Sequence, residues 1–122
     1  MKREIITIEN GRVSVPASSS SIWMTQYEIS RMFECFVAKV RCNVLAILKT
    51  GVLDETRVCR FYYYTDGSSV QQYNLEMITA LSFRIRTYNA EIFRDWLMKK
   101  AIAKTVRSEL LTSIQWNKTL LN

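Results

Sequence analysis

A chain of 122 residues with 48% hydrophobic and 23% charged side chains has the makeup of one folded domain, which excludes wholesale disorder. No stretch approaches the roughly 20 apolar residues that a membrane helix needs. The start, Met1-Lys2-Arg3-Glu4-Ile5-Ile6-Thr7-Ile8, lacks the apolar block of a signal peptide, so the predicted address is the cytoplasm.

Residues 1–16 read as a β-hairpin. Asn10-Gly11 tolerates the positive φ angles of a type I′ turn. Folding about it sets Ile8 against Val13 and Ile6 against Val15 on one face, with Thr7 against Ser14 and Glu9 against Arg12. A short polar linker follows Pro16. The next segment, 22–51, has the outline of a helix-turn-helix. Thr25 and Glu28 form a capping box, and Ile29, Met32 and Phe33 follow at helical spacing. A break at 34–36 precedes a second helix whose Val40, Val44, Ile47 and Leu48 share one face, with Gly51 as its C-cap.

A second hairpin spans 57–73, with β-rich residues 57–64, a turn at Asp66-Gly67 and a return strand from Val70 to Tyr73. The pattern leaves room for the two hairpins to join in one sheet. In Tyr62-Tyr63-Tyr64 alternate rings are expected in the core and the others half-exposed. Stacking of unpaired bases on them is the competing reading. Residues 74–116 read as helical. Asn74 caps a helix carrying Leu75, Ile78 and Leu81, residues 82–88 are ambiguous, and Asn89 is the expected cap of the last helix. That helix carries the stripe Phe93, Trp96, Leu97, Ala101, Val106, Leu110 and Ile114. The fold class expected is α+β in a single domain.

With no histidine in the chain, no Ser-His-Asp or Cys-His catalysis is available. Cys35, Cys42 and Cys59 are too widely spaced for zinc, odd in number for a disulfide framework, and read as reduced thiols packed as small hydrophobes. The carboxylates form no acid–base pair or two-metal cluster, and the three glycines form no phosphate loop. The expectation is a non-enzymatic protein without metal or cofactor. Its formal charge of +6 favours a polyanionic partner such as nucleic acid.

From residue 22 to about 100 the chain resembles the RhuM-type family of bacterial proteins, often called virulence-associated. Three blocks carry the resemblance. They are Ile22-Trp23-Met24-Thr25-Gln26 with Ile29, Met32 and Phe33; Tyr73-Asn74-Leu75-Glu76-Met77-Ile78 running on to Phe83-Arg84-Ile85; and Phe93-Arg94-Asp95-Trp96. The chain departs from that pattern in having Ser82-Phe83 where the family has Gly-Tyr, and Glu34 where its turn has glycine. The resemblance implies a DNA-binding-like domain of a regulator linked to mobile elements or restriction loci.

If the second helix of the pair reads DNA, its candidates are Lys39, Arg41, Asn43 and Lys49, with Gln26 and Arg31 of the first helix beside them. Arg84, Arg86, Arg94, Lys99 and Lys100, followed by Lys104 and Arg107, form a second basic cluster for phosphates. The same reading helix also presents Ala38, Cys42, Leu45 and Ala46, and a helix apolar nearly all round is usually covered. The alternative is therefore a protein-interaction module. It would dimerise or hold a partner, a homodimer forming through the Cys42/Leu45 face or the C-terminal helix, and keep the helix-turn-helix shape without DNA readout.

Overall fold

The computed structural model describes residues 5–17 and 22–121, and the side chains of the last helix as far as residue 105. It has the α+β architecture expected. Strands β1 (Thr7–Glu9) and β2 (Arg12–Ser14) pair antiparallel with Thr7 opposite Ser14, Ile8 opposite Val13 and Glu9 opposite Arg12. Asn10 and Gly11 take φ of 52° and 74°, as the type I′ turn requires. One face of this hairpin covers the core. Ile6 is fully buried, and Ile8, Val13 and Val15 pack against the central cluster.

Strand β3 (Met24–Thr25) leads into α1 (Gln26–Phe33). Thr25 Oγ1 accepts from the Glu28 N–H at 3.1 Å, and Glu28 Oε1 accepts from the Thr25 N–H at 2.9 Å, so the capping box forms. Glu34 then turns left-handed, at φ 55° and ψ 54°. The Cys35 N–H donates to the Ser30 carbonyl at 3.0 Å and closes the first helix. Helix α2 (Val37–Thr50) ends on Gly51, at φ 74°. An L-residue in this conformation costs about 1–2 kcal/mol that glycine escapes. Glycine returns part of that gain as lost backbone entropy. Glu34→Gly should therefore raise stability by about 0.5–1 kcal/mol, read as a higher urea midpoint at unchanged m-value. A lower midpoint would contradict the left-handed turn.

Residues 55–58 correct the sequence reading. A strand was expected from residue 57, but Glu55–Val58 is a helical turn, α3. Asp54 causes it, accepting from the Thr56 N–H at 3.0 Å and the Thr56 hydroxyl at 2.7 Å. Strands β4 (Cys59–Tyr63) and β5 (Ser69–Tyr73) follow, and the sheet order is β3-β5-β4. The second hairpin thus pairs with β3, Met24 opposite Tyr73, and not with the first hairpin, which remains a separate two-stranded sheet. A two-residue strand is too short to show any hydrophobic alternation.

The tyrosines are a further correction. None of Tyr62, Tyr63 and Tyr64 enters the core; they are 48, 70 and 50% exposed. Only the root of the hairpin is covered, at Gln72 and Tyr73, so neither face of its outer half meets the body.

Asn74 caps α4 (Leu75–Ser82), accepting from the Met77 N–H at 3.2 Å, as expected. Residues 83–87 form a turn, and a single helix, α5 (Tyr88–Leu121), completes the chain. Its cap is Thr87 and not Asn89. Thr87 Oγ1 accepts from the Ala90 N–H at 3.2 Å, while Asn89 Nδ2 donates to the Met32 carbonyl at 2.9 Å. The Thr87 hydroxyl also donates to the Phe33 carbonyl at 2.6 Å. Both residues thereby satisfy carbonyls at the end of α1, where no helical partner exists. Of the expected stripe, Phe93 is buried, Trp96 and Leu97 are half-buried and Ala101 is exposed. The side chains of Val106, Leu110 and Ile114 lie outside the described residues.

Candidate nucleic-acid interface

Helix α2 is attached to the body along one face only. Val40, Val44 and Ile47 are buried there, and Leu48 is half-buried beside them. The opposite side is open, with Ala38, Cys42, Leu45 and Lys49 exposed along it and Lys39 and Arg41 on its two flanks. Among the described residues none of these three cations makes a salt bridge. No side chain caps the start of α2, where Phe36 stands 87% exposed. The Lys39 N–H donates back to the Phe36 carbonyl at 3.0 Å.

Asn43 does not stand free on this surface. Its Nδ2 donates to the Lys39 carbonyl at 2.9 Å, and its Oδ1 accepts from Arg84 Nε at 3.0 Å. That bond brings a cation of the second basic cluster onto α2. Arg86, also exposed, shares a shallow recess with Lys39 and Phe36. Lys39, Arg84 and Arg86 are therefore one basic surface around the start of α2, although more than 40 residues of sequence separate Lys39 from the two arginines.

Other sequence candidates have different surroundings. Gln26 Nε2 donates to the Tyr73 hydroxyl at 2.9 Å, and that hydroxyl donates to Gln71 Oε1 at 3.1 Å. Burial pushes the Tyr73 phenol up, and the bond from Gln26 opposes it. The amide of Gln26 thus joins α1 to β5. Arg31 is exposed on the outer side of α1. Arg94 turns inward, its guanidinium donating to the carbonyls of Ser82 and Ile85. It holds the turn before α5 closed, which an outward phosphate contact would not do. Lys99 is exposed beside the first hairpin, and Lys100 lies over the Trp96 ring at 5.8 Å.

Several features were not foreseen. The Arg60 guanidinium lies 4.4 Å above the Trp23 ring, and its Nε donates to Gln72 Oε1 at 2.8 Å. Arg57 pairs with Glu76 at 2.6 Å on the surface. Cys42 corrects the reading of three packed thiols. It is exposed, while Cys35 and Cys59 are half-buried. Among the described residues no three metal-ligating side chains come together, and no helix is long and apolar enough to cross a membrane.

Comparison with protein-family models, curated proteins and solved structures gave no match to this chain.

Proposed function

We propose that this protein binds duplex DNA through α2, as a helix-turn-helix regulator of the cytoplasm. The observation that carries the reading is the one-sided attachment of α2. A short turn holds it against α1, its inner face is anchored, and its outer face is open between Lys39 and Arg41. Lys49 extends the charge along the helix, and Arg84 and Arg86 extend it onto the neighbouring turn. A major groove accepts a helix presented in this way. Its phosphates would meet the flanking cations, while thymine methyl groups suit apolar side chains such as Phe36, Ala38 and Leu45. The resemblance to RhuM-type proteins points in the same direction and suggests a role near mobile elements or restriction loci.

The test is fluorescence anisotropy of a labelled mixed-sequence duplex across a salt series. About four phosphate contacts would weaken binding roughly a hundredfold between 50 and 200 mM salt. Lys39→Ala/Arg41→Ala should lower the slope of log affinity against log salt by about 1.8. Absence of binding by the wild-type protein at 50 mM salt would overturn the proposal. The second reading, a protein-interaction module, is favoured by the exposure of Phe36 and Leu45, at 87% and 62%. Under that reading Leu45→Asp abolishes self-association or partner binding, and DNA binding is absent from the start.

A further inference from the structure

Strand β4 is the open edge of the three-stranded sheet, since the order is β3-β5-β4. The Tyr64 N–H donates to the Ser68 carbonyl at 2.8 Å, and the Asn74 N–H to the Val58 carbonyl at 3.0 Å. Antiparallel ladders alternate, so the even-numbered residues of this strand bond inward to β5. Phe61 and Tyr63 therefore turn their backbone N–H and C=O groups outward, and Cys59 its C=O, while the Cys59 N–H donates to the Glu55 carbonyl and closes α3. Edges of this kind are ordinarily guarded by lysine, proline, a bulge or a covering element. Cys59–Tyr63 contains no lysine or proline, and its one charge, Arg60, is drawn inward over Trp23 and Gln72. Helix α3 meets the edge only at the Cys59 N–H, and the strand's pairing with β5 runs through five consecutive residues without a bulge. Instead Phe61, Tyr62, Tyr63 and Tyr64 stand 58, 48, 70 and 50% exposed. Their rings make one contact on each face of the hairpin, Phe61 with Tyr63 and Tyr62 with Tyr64, at centroid distances of 6.4 and 5.2 Å.

We infer that this edge is a self-association surface, on which β4 pairs antiparallel with β4 of a second copy about a two-fold axis through Phe61. The register follows from the strand itself. Full overlap of the five residues centres on Phe61, and that centre sets the outward groups of residues 59, 61 and 63 opposite those of 63, 61 and 59. It gives four backbone hydrogen bonds, two between the Phe61 residues and one from each Tyr63 N–H to the opposite Cys59 carbonyl. Phe61 meets its own counterpart, Cys59 meets Tyr63, and Arg60 meets Tyr62.

The strand's single charge thus does not face itself across the axis, which removes the like-charge penalty of a two-fold ribbon, and its guanidinium stays over Trp23, away from the edge. Four aromatic side chains, each of about 200 Å² and half-exposed, would bury at most about 400 Å² per copy, Tyr64 lying beyond the five-residue overlap. This is the low end for a specific interface, so the dimer is weak and concentration-dependent. Such pairing would join the two sheets into one of six strands and relate the two α2 helices by a two-fold axis.

The experiment is analytical ultracentrifugation of the full chain without DNA, from about 1 to 200 µM. It stands apart from the DNA proposal because no nucleic acid is present. Wild type should move from the 14.3 kDa monomer towards twice that mass as concentration rises. Phe61→Lys sets two lysines opposite each other at the axis, and should weaken association at least tenfold with an unchanged melting curve. Tyr63→Thr keeps β propensity while removing a ring, and should weaken it several-fold, deciding the matter if Phe61→Lys unfolds. A wild type that stays monomeric at 200 µM overturns the inference. So does a dimer that neither substitution weakens, which would place the interface elsewhere, on the Cys42/Leu45 face or on α5. If the aromatics instead serve to stack unpaired bases, the wild type is monomeric and both variants lose affinity for single-stranded DNA.

Discussion

Phe93→Ala is expected to destabilise the protein by about 4 kcal/mol, in the range of buried phenylalanine truncations. Phe93 is fully buried, meets Phe33 edge-on at 5.7 Å and stacks on Trp96 at 5.8 Å. It is the side chain through which α5 meets the end of α1. Thr87 and Asn89 bond the same end of α1, so loss of the ring also loosens their hold on its last carbonyls. A domain of this size has about 5–15 kcal/mol to lose, so the variant should melt well below wild type or be partly unfolded at 37 °C. Phe83→Ala is the contrast. Phe83 is 56% exposed, and its removal should change stability by about 0.5 kcal/mol or less. Denaturant curves for the two variants check the pair. A loss under about 1 kcal/mol for Phe93→Ala would mean that α5 is not docked on α1 as described.

Thiol labelling should divide the three cysteines sharply. Cys42 is exposed and should be modified first by iodoacetamide or by an aromatic disulfide. At Cys59 burial pushes the thiol up to about 11, with the neighbouring Glu55 carboxylate adding to it. At pH 8 its thiolate fraction is about two-hundredfold below that of an ordinary thiol near 8.5, and its labelling should be correspondingly slower. Cys35 is raised as well, by burial first, against which the Lys39 ammonium acts.

The sign for stability follows from the same direction. A folded-state thiol raised above its unfolded value favours the fold below about pH 8.5. This contribution fades as the pH rises from about 8.5 towards 11. Labelling followed by mass spectrometry of peptides, native and in denaturant, reads all three sites. Equal rates at Cys42 and Cys59 in the native protein would contradict the placement of Cys59 at the root of the hairpin.

Local chemistry was legible in the sequence wherever neighbours along the chain decide the structure. Asn10-Gly11 fixed the first hairpin and its register, because a type I′ turn leaves one pairing. Thr25 with Glu28, Asn74 and Gly51 set helix ends through bonds that span two or three residues. The buried face of α2 was readable from the spacing of Val40, Val44 and Ile47. Asn89 shows where this logic stops. As a residue type it suits a helix cap, and the sequence alone cannot reveal that a carbonyl 57 positions earlier competes for its amide.

The tertiary structure decided what becomes of groups whose partners are distant. Arg94 and Arg86 look alike in sequence, but one closes a turn by bonding carbonyls and the other is exposed beside Lys39. Asn43 reads as a base contact until Arg84, 41 residues away, is seen to donate to it. Tyr62 and Tyr64 carry the alternation of a half-buried strand, yet their hairpin reaches beyond the body and both remain about half exposed. The reason is common to all of these. Propensity, capping and periodicity act over a few residues, whereas burial and the satisfaction of a polar group depend on which elements the packed core brings together.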